Sequence, residues 1–168
     1  EFLTAYEVGV KSRWFDRRLQ LNAAAFIYDH TDLQVQTLLE TAGGGAQIVT
    51  TNAAEARNYG VELEAVARTA ARPDVVCSVA LLETEYRDFI NADVIDVSGN
   101  ALKRSPELRT NTAIKYTVPV GDVSSLSLLC EHQYQSRIYL TETNESVLGQ
   151  EGYHNLNARL TYERDQIS

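Results

Sequence analysis

Residues 58–68 read NYGVELEAVAR, with Tyr59, Val61, Leu63, Ala65 and Ala67 on every second position and Glu62 and Glu64 between them. A β-strand sends alternate side chains to opposite faces. The stretch therefore predicts a strand with one unbroken apolar face and one face bearing two carboxylates. The surrounding residues 53–72 (AAEARNYGVELEAVARTAAR) are rich in good helix formers. Gly60 and the strict alternation after it favour the strand. Which face is wet decides the fold.

Six further segments alternate with the same period. In residues 6–14, Tyr6, Val8, Val10, Ser12 and Trp14 oppose Glu7, Gly9, Lys11 and Arg13. Residues 19–28 set Leu19, Leu21, Ala23, Ala25 and Ile27 against Gln20, Asn22, Ala24, Phe26 and Tyr28. Residues 75–86 are apolar on both faces until Glu83, so their facing stays open. Residues 109–118, 126–135 and 155–163 alternate clearly, with Arg109, Lys115, Glu131, Arg159 and Glu163 on their more polar faces. Across the six clear strands the apolar face carries no formal charge.

The connections alternate between short and long. FDRR (15–18), AARPD (70–74) and PVGDVS (119–124) are short, whereas 30–56, 87–106 and 137–151 are long. Antiparallel neighbours joined in this way have all their tight turns at one end and all their long loops at the other. That is the plan of an outer-membrane β-barrel; a Greek-key sandwich has no reason to follow it. Trp14, Phe15, Tyr59, Tyr86, Tyr116, Tyr134, Tyr153 and Tyr162 fall near strand ends, where a barrel carries aromatic girdles.

Composition is consistent with this plan. There is no run of 18 apolar residues, so no transmembrane helix is predicted, and the short alternating strands of a barrel need none. The net charge of −8 argues against a nucleic-acid partner. The chain has no Met and starts within a strand pattern, so a targeting segment is expected to lie elsewhere.

Residues able to carry chemistry are scattered. Glu62 and Glu64 lie about 6.6 Å apart on one strand face, and a glycosidase could use such a pair, but no sugar-binding cleft is indicated nearby. The glutamates are expected to meet a wet barrel interior and the apolar row to meet lipid. His30, His132 and His154 lie on separate segments without metal-ligand spacing, although His30 and His154 sit near external ends where a ligand role is conceivable. Cys77 and Cys130 read as two free apolar thiols, with a disulfide left open. Gly43–Gly45 reads as a loop tip without a following helix start. No nucleophile elbow, P-loop or dinucleotide fingerprint is present.

Several segments together resemble the TonB-dependent outer-membrane receptors. YEVGVKSRWFDRRLQLNAAAFIYDHTDLQV is similar to that family's Y-E-x-G-x-K strand, short turn and ascending N-x-x-x-F-x-x-D-Y-x-D-L-Q strand. NAAEARNYGVELEA resembles its N-A-x-x-A-x-x-x-G-x-E-x-E strand, and GNALKRSPELRTNTAIKY its G-N-x-L-x-x-x-P-x-x-x-x-N segment. YQSRIYLTETNESVLGQEGYHNLNARLTYE resembles its late external hairpin. His30 stands where the pattern has Tyr, and Ala101–Arg104 departs from the commoner Arg-Leu-x-x.

The resemblance implies an all-β, antiparallel, up-and-down fold. Residues 1–168 would be about seven strands in the C-terminal third of a 22-stranded transmembrane barrel, with the plug domain and final strands outside the chain. Such receptors sit in the outer membrane of Gram-negative bacteria. They import scarce ligands, most often ferric siderophores, using energy from the inner-membrane TonB complex, and perform no covalent chemistry. No cofactor is expected. The implied partners are the TonB complex through an N-terminal part, a ferric siderophore or similar small ligand, and outer-membrane lipid.

By position, Gln34, Gln36, Tyr86, Arg87, Arg137 and Tyr139 are the candidate ligand contacts. Glu7, Lys11, Arg13, Glu62, Glu64, Arg109, Lys115, Glu131 and Arg159 are the candidate lumen residues. Seven strands would leave both sheet edges unpaired, so the 168 residues alone are not expected to fold stably. Two rival readings are a soluble or secreted all-β ligand-binding module and a barrel enzyme of the outer membrane.

Overall fold

The computed structural model describes residues 1–40, 44–68, 73–91 and 93–164. Seven strands form one antiparallel sheet in the order β1-β2-β3-β4-β5-β6-β9. They are β1 (Phe2–Trp14), β2 (Leu19–Glu40), β3 (Ala46–Arg68), β4 (Asp74–Asp88), β5 (Leu108–Pro119), β6 (Ser124–Gln135) and β9 (Tyr153–Arg164). Between β6 and β9 a short hairpin pairs β7 (Ile138–Tyr139) with β8 (Gly149–Gln150), and one 3-10 turn spans Ser146–Leu148. Each strand pairs with the one before it in the sheet, as in a barrel wall. The helix-rich stretch 53–72 is strand as far as Arg68, because pairing with β2 and β4 overrides propensity.

Register settles which residues share a face. Lys11, Asn22, Glu64, Ser78, Asn111, Gln133 and Asn155 are successive cross-strand partners, an unbroken polar row across all seven strands. Within it Asn22 Nδ2 donates to Glu64 Oε1 at 3.0 Å and Asn111 Nδ2 donates to Ser78 Oγ at 3.2 Å. One residue along, on the other face, run Val10, Ala23, Leu63, Val79, Thr110, Tyr134 and His154. A slip by one residue would move Glu62 and Glu64 into the apolar row, so the pattern specifies the register strongly. The facing of β4, open in the sequence, follows from its pairing: Val75, Cys77, Val79 and Leu81 share the apolar face with Leu63 and Ala65.

On the apolar face Tyr6 and Trp14 are eight positions apart on β1, as are His154 and Tyr162 on β9. That is about 26 Å along a strand, or about 20 Å of height at a barrel tilt of 40–45°. Beyond Ile27 and Tyr59 the same face turns charged. There Arg57 Nε and Nη2 grip Asp29 at 2.6 and 3.1 Å, holding the Asp29 carboxyl below its usual pKa.

The long excursion expected over 30–56 is different in kind. β2 and β3 stay paired up to Glu40↔Ala46, forming a two-stranded ribbon above the sheet. Extended pairing satisfies backbone groups that an irregular loop would leave to water. Asp32 takes a φ of 56° within β2, and pairing with β3 resumes at Leu33↔Ala53 in the register kept up to Thr31↔Glu55. Below it His30 shares the face of Tyr28, and above it Leu33 and Val35 pack inward. Gly43 and most of the 70–74 turn lie outside the described residues. The tight turn at 15–18 is present, closed by Arg18 N donating to Phe15 O at 3.1 Å.

Cys77 and Cys130 are free thiols on β4 and β6, with β5 between them. Two strand spacings alone separate them by about 9.6 Å, and their partners on β5, Thr112 and Ile114, are offset along the strand, which puts the pair beyond disulfide reach. Both thiols should react with a thiol reagent after denaturation without a reductant, and the count should not rise when one is added. A count that rises by two would overturn this.

Candidate functional site

The only compact core among the described residues lies at the long-loop end. Val35, Ala56, Tyr86, Phe89 and Val97 are buried together, flanked by Leu33 and Leu102. Tyr86 comes from the end of β4, Val35 from the ribbon, and Phe89 and Val97 from the loop that follows β4. That loop folds back over the polar face of the sheet and closes the core.

The segment GNALKRSP (99–106) shows how. Gly99, at φ 86°, donates its N–H to Tyr86 O at 2.6 Å, and Tyr86 N donates to Asn100 O at 2.9 Å. The positive φ is where glycine costs least. Asn100 Nδ2 donates to Glu142 O at 2.9 Å. Asn144 receives Ala101 N on Oδ1 at 2.7 Å and returns Nδ2 to Ala101 O at 2.9 Å. Leu102 N donates to Thr84 Oγ1 at 3.0 Å, and Arg104 N to Tyr139 O at 2.8 Å. Lys103 is the centre: Nζ donates to Gln36 O at 2.7 Å and lies 3.3 Å from the buried Glu142 carboxylate. One ammonium therefore ties the ribbon, the 89–107 segment and the 136–152 loop together.

Beside this clasp opens a cleft of about 570 Å³ lined by Gln34, Gln36, Ile48, Tyr86, Lys103 and Leu140, among others. It mixes apolar walls with amide, phenol and cationic groups, the composition expected of a small-molecule site. Burial, reinforced by Glu142, pushes the Tyr86 hydroxyl up to about 12, against a backbone N–H at Lys103 that pulls it down.

A titration checks this. In the receptor that contains this chain, Tyr86 should contribute a late component of tyrosinate absorbance, and Tyr86→Phe should remove it. An unchanged curve in the variant would contradict the burial. The sign for stability follows from linkage: above the ordinary value of 10.0 the unfolded tyrosine loses its proton while the folded one keeps it. Stability therefore falls as pH rises from about 10 to about 12.

Of the ligand contacts expected from sequence, the structure brings Gln34, Gln36 and Tyr86 to one cleft. Arg87 lies outside it, 3.7 Å from Glu85. Arg137 is held by Glu151 across the base of the 136–152 loop, and Tyr139 sits in the β7–β8 hairpin. The residues that sequence reasoning missed are Lys103, Arg104, Glu142 and Asn144. The departure at Ala101–Arg104 was the only hint of the first two. Among the expected lumen residues, Glu7, Lys11, Glu62, Glu64 and Arg109 line one groove of about 640 Å³ on the polar face. Arg13 shares that face beside Gln20, and Lys115, Glu131 and Arg159 continue it on β5, β6 and β9.

The histidines are placed less evenly than expected. His30 lies on the polar face, with Asn58 at 3.4 Å. His132 and His154, read as separate, meet across β6 and β9 with Nε2 and Nδ1 3.0 Å apart, and Tyr134 packs on His154. No cluster of three metal-ligating side chains occurs among the described residues.

Comparison with known proteins agrees with this geometry. The family model for the TonB dependent receptor-like β-barrel matches residues 1–167. The ferric yersiniabactin uptake receptor FyuA from Yersinia pestis superimposes with a TM-score of 0.69 at 21% identity, over 94% of this chain and 22% of its own. The ferric preacinetobactin receptor BauA from Acinetobacter baumannii gives 0.74 at 15% identity, over 98% and 23%. The copper transporter OprC gives 0.67 at 18% identity, over 93% and 22%. The chain thus spans about a fifth of the length of each of these solved relatives. Seven strands in sequential order, a polar face set against an apolar one, and a family match over nearly every residue give one conclusion: the chain belongs to the TonB-dependent receptor-like β-barrels, proteins of the Gram-negative outer membrane.

Proposed function

We propose that these seven strands are a contiguous part of the wall of a TonB-energised outer-membrane importer, and that its ligand is a ferric siderophore. The apolar face meets lipid, and the polar face carrying Glu7, Lys11, Arg13, Glu62, Glu64, Arg109, Lys115, Glu131 and Arg159 meets the lumen. The observation that carries the reading is the cleft at the long-loop end, on the side of the polar face, where Gln34, Gln36 and Tyr86 converge. A ligand captured there has a wet wall beneath it. The energy enters through contact with the TonB complex. FyuA and BauA, which share the fold, are named for ferric yersiniabactin and ferric preacinetobactin, and PiuA from Acinetobacter baumannii is named a siderophore receptor.

The test is uptake of radiolabelled iron chelates by iron-starved cells, with and without the receptor and with and without a working TonB. Receptor- and TonB-dependent uptake of a ferric chelate is expected. Uptake that ignores either component would end the importer reading. Receptor-dependent uptake of copper in place of iron would move the ligand to the class for which OprC is named.

A further inference from the structure

We infer that Arg104 and Arg109 form an anion-binding site on the polar wall below the loop cleft, which takes one flat, negatively charged arm of the transported ligand. The inference deepens the importer reading by naming the charge and shape of what passes, and it rests on that reading for its role in transport.

The first observation is where the cations go. Around the long-loop end Arg57 is paired with Asp29, Arg87 with Glu85, Lys103 with Glu142 and Arg137 with Glu151. Arg104 and Arg109 make no ion pair among the described residues. Arg87 and Arg137, candidate ligand contacts by position, each stand beside a carboxylate of their own, Glu85 and Glu151.

The second observation is that the two free guanidiniums share a place. Arg104, Arg109, Phe26, Leu82, Pro106 and Glu62 line a cleft of about 200 Å³. Glu62 makes no ion pair with either arginine, so the cleft keeps two positive charges against one negative. A guanidinium presents a planar fork of donors that matches carboxylates, sulfonates and catecholates, and it stacks on flat rings. Phe26 supplies the aromatic wall. Its ring lies against Gly60, where an added Cβ would meet Phe26 Cζ at 2.9 Å, and it stacks on Tyr28 at 4.8 Å. The cleft is too small for a whole chelate, so it holds one arm.

The third observation is continuity. Arg104 also lines the 570 Å³ loop cleft, and Arg109 also lines the 640 Å³ groove beside Lys11. The two arginines therefore stand at the two junctions of a path from loops to lower wall. Arg104 holds a φ of 59°, a conformation that costs a non-glycine residue energy and persists only where the surroundings enforce it. Here Tyr139 O fixes its N–H and Lys103 anchors the residue before it.

The test uses the receptor that contains this chain, purified in detergent, with naphthalene disulfonate as a fluorescent aromatic dianion and naphthalenemethanol as its uncharged counterpart. Arg104→Gln and Arg109→Gln should each weaken disulfonate binding about tenfold, the loss of one charged hydrogen-bonded contact. The double variant should abolish it, and added salt should weaken it in the wild type. Naphthalenemethanol should bind all forms alike. Circular dichroism and a cooperative thermal transition establish that each variant is folded.

Disulfonate affinity unchanged in the double variant, or absent in the folded wild type, overturns the proposal. So does a lowered thermal midpoint in the variants with disulfonate affinity intact, because the arginines would then be bracing another part of the receptor. Failure of the importer reading is read separately, as no TonB-dependent chelate uptake, and leaves the naphthalene result to stand alone.

Discussion

Gly60→Val should destabilise the barrel more than any other single change in the sheet. A Cβ at this position would lie 2.3 Å from the Leu81 carbonyl oxygen and 2.9 Å from Phe26 Cζ. The first of these atoms is backbone held in the β3–β4 ladder, so it cannot swing away as a side-chain tip does. Overpacking of this kind costs about 1–3 kcal/mol, and more when the obstructing group is rigid. Valine adds two methyl groups to the clash, so alanine should already be harmful and valine severe. The measurement is the midpoint of thermal or urea unfolding of the folded receptor in detergent. Gly9→Ala is the internal control, because its Cβ would stand 3.2 Å from Ala23 O, where small adjustments suffice. Equal midpoints for Gly60→Val and wild type would show that β3 and β4 do not approach as described.

Lys103→Met should open the loop clasp. It removes both the hydrogen bond to Gln36 O and the ammonium facing Glu142, whose side chain is only 7% exposed. Taking one partner from a buried pair costs about 3–5 kcal/mol, because the remaining charge stays desolvated. The cost falls on the 89–107 and 136–152 segments more than on the strands. Hydrogen exchange and proteolysis should speed up in those two segments while the strands stay protected, and affinity for the transported ligand should fall with them. Adding Glu142→Gln to Lys103→Met should recover part of the loss, since the buried carboxylate's charge is gone. A double variant as loose as the single one would mean that the ion pair is not what holds the loops.

Both residues show where sequence legibility ends. Gly60 is visible in NYGVELEAVAR as a break in helix propensity, yet the sequence does not say that Phe26 from β2 and the Leu81 carbonyl from β4 close around it. Lys103 is visible only as a departure within GNALKRSP, because its partners Gln36 and Glu142 are 67 and 39 positions away. The placement of Gln34, Gln36 and Tyr86 near the loop end was readable from strand direction. Arg87 and Arg137 are candidate ligand contacts by position, and the sequence does not show that Glu85 and Glu151 come within reach of them in the folded chain.

The ribbon above β2 and β3 was read as a loop for a related reason. The polar run Asp29–Asp32 separates Ile27 from Leu33 and Val35 and reads as the start of a loop in one dimension, whereas pairing with β3 makes one strand of it in three.

What the sequence alone determined is everything that depends on period and order. Alternation by two sets strands with one wet and one dry face, and short and long connections set a sequential antiparallel sheet with all its long loops at one end. Both are local properties, written in neighbouring residues. What only the tertiary structure decided is which charges are spent on each other and which remain free. Ion pairing depends on side chains brought within a few ångströms across strands and loops, and its strength falls with distance and solvent. That is why Lys103 proved to be a clasp, and why Arg104 and Arg109 make no ion pair among the described residues.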